Sequence, residues 1–331
     1  MFTRKFIAAC LMLACAAVQA NPVAPVHALD QSSEYGTNSV NTKADVFYRD
    51  RVAELSGGRL KIHLHPGAAL GYRERDHFQV VGRGAAPIAT TVSGTLAGFD
   101  PLFLLSSLPF LARDFDDAQL LLDIAMPHYK AFFEKHNQIL LHAGWVDPSG
   151  IWASRPINSL ADLQQLKIRT YDATGTRLLQ QVGAAPLVIS WADLVPQLAT
   201  GGVSAVLTGA DGGASIRLWD YTKVFTQINY AMPLTFVHMN RDAYLALPED
   251  LRAVLHQTAQ DTQAWRKHQI AANLQAKYQQ LADNGMQVIE VPAPELAAAL
   301  GQANQPVVRA WEAQVGERAS RILSEYESRR R

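Results

Sequence analysis

Cysteine is almost missing from this 331-residue chain, and the two present, Cys10 and Cys15, both fall in the first fifteen residues. A disulfide framework or a thiolate metal cluster further along is thereby excluded. Excess charge of one sign is equally absent. Thirty Lys and Arg balance thirty Asp and Glu, so nothing favours binding to nucleic-acid phosphates. No stretch beyond residue 20 approaches 18 apolar residues without a charge, which leaves no candidate membrane span there. Local signatures of catalysis are missing too. There is no Gly-x-Ser-x-Gly elbow, no His-Glu-x-x-His and no Walker loop, and Gly82-Arg83-Gly84-Ala85-Ala86-Pro87 lacks the third glycine of a dinucleotide fingerprint.

What is present describes a folded, exported chain. Residues are 48% hydrophobic and only 18% charged, and the length favours two domains over one core. Arg4 and Lys5 precede an apolar run from Phe6 to Val18, followed by Val18-Gln19-Ala20 with small residues at the positions a signal peptidase reads. Residues 1–20 are expected to be a signal peptide cut after Ala20, which would remove both cysteines and place the product in the periplasm. Ile7-Ala8-Ala9-Cys10 superficially looks like a lipobox, but the apolar run before it is too short for that processing.

Helix and strand patterns alternate at short spacing, the mark of an α/β fold. Strands are predicted over 25–30, 59–64, 87–92, 138–143, 166–170 and 187–189, and helices over 41–55, 73–81, 159–163 and 174–182. Gly57-Gly58 stops the first helix, and Ser159 with Asp162 makes a capping pair. A second α/β set starts near residue 148. One helical pattern then continues over 248–283, too long for one small domain, and the segment 294–331 is helical with a basic tail. Domain I is expected to hold residues 21–147 with 234–270, and domain II residues 148–233 with 271–331.

Candidate chemistry is sparse. His63-Leu64-His65 places two imidazoles on one strand face, yet no third ligand is near, so no metal is expected. Asp114-Phe115-Asp116-Asp117 lacks the glycine turn and distal Glu of a calcium loop and reads as a helix start. Arg169 stands apart. It ends the strand 166–170, where open α/β sheets bind ligands, and its guanidinium is a planar fork matched to a carboxylate. On spacing alone a structural salt bridge fits equally well.

Several segments, in order, resemble the substrate-binding proteins of tripartite ATP-independent periplasmic (TRAP) transporters, the DctP family. They are Glu54-Leu55-Ser56-Gly57-Gly58-Arg59-Leu60-Lys61-Ile62, Leu70-Gly71, Ser107-Leu108-Pro109-Phe110, Leu166-Lys167-Ile168-Arg169, Gly183-Ala184-Ala185-Pro186, Val195-Pro196-Gln197-Leu198-Ala199-Thr200-Gly201 and Leu247-Pro248-Glu249-Asp250-Leu251. The resemblance implies a two-domain, periplasmic-binding-protein-like α/β fold with an interdomain cleft and a long helix spanning both domains. It also implies that Arg169 pairs with the ligand carboxylate and that Trp191 forms an aromatic wall. Where many members carry Glu-Asn-Pro, this chain has Leu207-Thr208-Gly209, so Thr208 would replace the usual Asn contact. Asp211 would accept ligand hydroxyls or hold the glycine turn, and Ser149 stands where the sialic-acid-binding subgroup has a second arginine, which disfavours sialic acid. Trp145, Thr91 and Ser93, on segments after strands, are further candidates for the cleft.

The implied function is capture of a small organic acid by domain closure and delivery to DctQ/DctM-like membrane subunits, by a monomer with no cofactor and no nucleic-acid partner. An exported two-domain hydrolase is the alternative from another class, but it lacks a nucleophile–base pair in the sequence. A binding protein for a sensory receptor is the third reading.

Overall fold

The computed structural model describes residues 25–330; the expected signal and its cut after Ala20 lie outside them. The chain begins with β1 (His27–Ser33), α1 (Val40–Leu55), β2 (Leu60–His65), α2 (Glu74–Gly82), β3 (Ile88–Val92), α3 (Phe115–Lys135) and β4 (Gln138–Trp145). It continues through β5 (Ser149–Ala153), α4 (Leu160–Leu163), β6 (Lys167–Thr170), α5 (Ala173–Gln181), β7 (Ala185–Val188), α6 (Leu194–Ala199), β8 (Ala205–Gly209), α7 (Ala210–Ser215) and β9 (Val224–Thr226). It ends with β10 (Leu234–Asn240), α8 (Arg241–Leu245), α9 (Glu249–Asp283), β11 (Gln287–Ile289), α10 (Pro294–Val315) and α11 (Glu317–Arg329).

Two sheets result. One has the order β2-β1-β3-β10-β4 and the other β11-β9-β5-β8-β6-β7. In the first, β1 runs parallel to β2 and β3, while β10 returns antiparallel between β3 and β4. In the second, β5 lies antiparallel to β8 and β9. Each sheet therefore contains a strand reached by a crossing from the other, β5 after β4 and β10 after β9. The two connecting segments pair where they cross, through Val146 N to Pro233 O (2.8 Å), Ser149 N to Ala231 O (3.0 Å) and Tyr230 N to Ser149 O (3.0 Å). Short crossings that are hydrogen-bonded to each other make a hinge rather than a tether.

Local sequence explains the helix starts. Ser39 Oγ accepts Thr42 N at 3.1 Å at the head of α1, and Asp114 accepts Asp116 N and Asp117 N at the head of α3, so the acidic run is a cap. Ser159 and Asp162 form the expected capping box. His65, the better placed of the two strand histidines, bonds Asp30 at 2.7 Å, and no group of three metal-ligating side chains occurs among the described residues.

The long helix α9 spans both halves. Leu251, Leu255 and Ala259 pack with Tyr48, Val52 and Leu60 of the first sheet's layer, whereas Tyr278 and Leu281 pack with Trp152 and Phe225 of the second. The C-terminal segment differs from expectation. It is two helices broken at Gly316, whose φ of 70° suits glycine, and it does not all go with the second sheet. Leu296, Leu300 and Val307 join the core around Ile168 and Leu207, but Trp311, Val315, Ile322 and Tyr326 join the core around Phe103 and Phe236. The apolar stripe of α10 continues past the hinge, so its two ends bury against different sheets.

Candidate functional site

A narrow cavity of about 40 Å³ lies between the two halves. The first half contributes Tyr35 and Glu74 among others, and the second contributes Arg169, Tyr171, Trp191 and Thr208. Most of these residues come from strand ends and the turns that follow them, and Glu74 from the head of α2, because parallel strands of both sheets end at the cleft.

Arg169 is 4% exposed, at the end of β6. Its Nε donates to Ile189 O at 2.9 Å, which fixes the plane of the guanidinium. The Cζ sits 5.4 Å from the Trp191 ring and 5.9 Å from the Tyr171 ring. Among the described residues no carboxylate lies within ion-pair distance of it. The structural salt bridge left open by the sequence is thus not made. Burial draws the Arg169 pKa down from its ordinary value, with Tyr35 and Glu74 opposing the shift. A guanidinium that has lost water and gained no counter-ion is primed for an anion.

Four of the seven expected site residues meet at this cavity: Arg169, Trp191, Thr208 and Asp211. Trp191 leads a short 3₁₀ turn (Trp191–Asp193) and tilts against Tyr35, ring centroids 6.1 Å apart. Thr208, next to last in β8, lies beside Gly212. Asp211 lines the cavity with its side chain already engaged: one oxygen accepts Val40 N at 2.9 Å and the other pairs with Lys277 at 3.1 Å. It clasps the N-terminus of α1 from the opposite half, which is neither of the two roles foreseen. Its own N–H goes to Asp147 at 2.9 Å, and burial followed by the nearby Asp211 raises the Asp147 carboxyl.

The other three are not at the cavity. Thr91 points into its own layer, where its hydroxyl bonds His238 at 2.9 Å and His77 at 3.1 Å. Alternation along β3 puts Thr90 and Thr91 on opposite faces, so Thr91 falls to the side covered by α2. Ser93 is fully buried and bonds Ser106 at 3.0 Å. Trp145 packs among Leu105, Tyr129 and Met232, and only its carbonyl oxygen has a hinge role. A bulky indole at a sheet terminus is buried by the adjacent helix rather than left in the cleft.

Residues the sequence reading overlooked are central. Glu34 follows β1 and reaches across to Ser190 Oγ and to Ala192 N (2.6 Å), while accepting Glu74 N (2.6 Å) on its own side. Arg73 reaches Asp193 at 3.0 Å, a further bond between the halves. Arg266, 2% exposed on α9, donates Nε to Trp145 O at 2.7 Å and Nη2 to Asn41 Oδ1, tying the long helix to the hinge and to α1. The one available signal for Arg266 is a charge inside the inward stripe of a long helix. The contacts of Glu34 leave no sequence trace, because its partners lie 40 to 158 residues away.

Residues 32–314 match the model of the bacterial extracellular solute-binding proteins, family 7 (DctP). The 2,3-diketo-L-gulonate-binding periplasmic protein YiaO of Escherichia coli K12 is 26% identical over 247 residues, 73% of this chain and 74% of that one. Uncharacterized YiiZ of Salmonella typhimurium is 27% identical over 182 residues, so this chain spans about half (54%) of its length. Among solved structures, a TRAP solute-binding protein from a marine metagenome, in complex with co-purified pyroglutamate, superposes with a TM-score of 0.88 at 26% identity, covering 92% of this chain and 99% of that one. With a match over most of the chain, two sheets facing a hinged cleft and a buried, unpaired arginine within it, the protein belongs to the DctP family of extracellular solute-binding proteins, the substrate receptors of TRAP transporters.

Proposed function

We propose that this protein is a periplasmic receptor that captures a small organic acid between its domains, holding the ligand carboxylate on Arg169. The jaws are residues 25–147 with 234–270 and residues 148–233 with 271–293, and the C-terminal helices, residues 294–330, brace both. The observation that carries the reading is the buried Arg169 guanidinium, facing the cavity between the jaws with no carboxylate at ion-pair distance among the described residues. Pyroglutamate, the ligand named for the marine receptor, supports a small organic acid as the ligand class. Ser149 hydrogen-bonds Tyr171 at 3.3 Å and supplies no second cation, which disfavours sialic acid. Trp191 and Tyr171 flank the carboxylate site, and Thr208 offers a hydroxyl to the rest of the ligand.

Cleavage after Ala20 releases the receptor, which acts as a monomer and delivers its ligand to DctQ/DctM-like membrane subunits. Among the described residues no helix is long and apolar enough to cross a membrane. Mass spectrometry of whatever co-purifies, followed by a thermal-shift screen of organic acids, tests the reading, since a ligand that binds only the folded state raises its apparent stability. Failure of every organic acid, with a neutral or cationic compound stabilising instead, refutes it.

A further inference from the structure

Glu74 lines the same cavity as Arg169, from the opposite jaw. It is 5% exposed, and its Oε1 accepts Val92 N at 2.9 Å. The adjoining Glu34, at 2% exposed, collects three donors: Ser190 Oγ, Ala192 N and Glu74 N. Those are the hydrogen bonds a charged carboxylate needs. Glu74 has fewer and lies beside that carboxylate. The other groups that act on it are the Tyr35 hydroxyl from the segment after β1 and the Arg169 guanidinium from β6. On its own helix stand Asp76 and His77, and the preceding Arg73 is paired with Asp193.

Charge counting then decides between two states. With both acids ionised, the single guanidinium is already outweighed, and an incoming carboxylate meets a net negative, poorly solvated cavity. With one acid neutral, Arg169 is free to bind an anion. Glu74 is the one whose environment favours neutrality: burial, then Glu34, pushes it up to about 8. In an open cleft water would solvate it and it would ionise in the ordinary carboxylate range.

Resting on the organic-acid reading of the cleft, we infer that Glu74 enters the closed cavity protonated and is the specificity-determining contact for the uncharged end of the ligand, so that capture of one organic anion takes up one proton. A neutral carboxyl donates through O–H and accepts through C=O, so it complements a lactam or a hydroxyl-bearing chain. A second ligand carboxylate at that end meets the Glu34 charge and is disfavoured.

Calorimetry in two buffers of different ionisation enthalpy, with pyroglutamate, a 2-hydroxy acid and a sugar acid as probes, tests this. Wild-type protein is expected to take up close to one proton per ligand bound at pH 7, and to bind roughly tenfold more weakly at pH 7 than at pH 6. Glu74→Gln, which keeps a neutral acceptor for Val92 N, is expected to bind with that uptake abolished and with affinity flat across the same range. Binding by wild type with no proton uptake, or an unchanged uptake in Glu74→Gln, overturns the inference alone. No heat with any probe overturns the organic-acid reading and the inference with it.

Discussion

Closure can be obstructed without touching the ligand, at Gly94. This residue lies second in the 3₁₀ segment after β3, and a Cβ placed on it would lie 2.6 Å from Asp172 Cβ and 2.8 Å from Asp172 Oδ2 on the opposite jaw. Carbon atoms pack at about 3.5–4.0 Å, so Gly94→Ala asks the jaws to part by roughly 1 Å. Asp172 has little freedom to yield. It caps α5, with Oδ1 accepting Gly175 N at 3.1 Å and Thr174 Oγ1 at 2.7 Å. Overpacking of this kind costs about 1–3 kcal/mol, and here only the closed form bears it. Since about 1.4 kcal/mol is a factor of ten, ligand affinity should fall roughly 5- to 140-fold. The melting temperature without ligand should stay at the wild-type value, because neither domain core is altered. Gly98→Ala, in the same segment with nothing within 4 Å of its Cβ, is the control and should bind normally. Titration calorimetry and ligand-free melting measure both quantities. Wild-type affinity in Gly94→Ala, or an equal loss in Gly98→Ala, would refute the closure argument.

Other perturbations separate binding from stability. Arg169→Ala should weaken organic-acid binding by about 2–5 kcal/mol, as expected when one member of a buried charge pair is removed, and equilibrium dialysis with unchanged affinity would exclude the role. Arg266→Met strips the donors from Trp145 O and Asn41 Oδ1, and should lower unfolding free energy by about 1–3 kcal/mol in urea titration; an unchanged midpoint would count against the hinge role. Asp45 is buried against Thr90 Oγ1 at 2.9 Å, and burial pushes it up to about 7 from an ordinary 3.8. Its folded value is the higher one, so its contribution to stability is fully present below about pH 4 and is lost as pH rises toward 7. Asp45→Asn should remove that slope and stabilise the protein at pH 8 by roughly 1–3 kcal/mol, and denaturant unfolding at pH 5 and 8 reads it directly. The same slope in the variant would show that Asp45 is not its source.

Much of the architecture was legible because it is local. The helix starts at Asp114 and Ser159 involve partners within four residues, and a parallel strand such as β6 declares itself through alternation over four residues. The extent of α9 followed from one uninterrupted helical pattern. Arg169 was found the same way, as a charged residue at the end of a short alternating strand. The break at Gly316 was missed because both flanking segments are strongly helical and a single glycine does not announce its φ.

The sequence by itself determined the α/β class, the alternation of the early elements, the expectation of export and the arginine at the mouth of a strand, since each rests on periodicity or on residue chemistry read over a few positions. Tertiary structure alone decided which side chains share the cavity. Thr91 and Trp145 lie on suitable strands but turn toward neighbouring helices, whereas Tyr35 and Glu74 are brought opposite Arg169 from about a hundred residues or more away. Tertiary structure also decided the ionic balance of the cleft, because Glu34 meets Ser190 and Ala192 from the opposite half. A side chain's facing at a strand end, and its neighbour across a hinge, are set by packing between distant segments, and no local pattern encodes that.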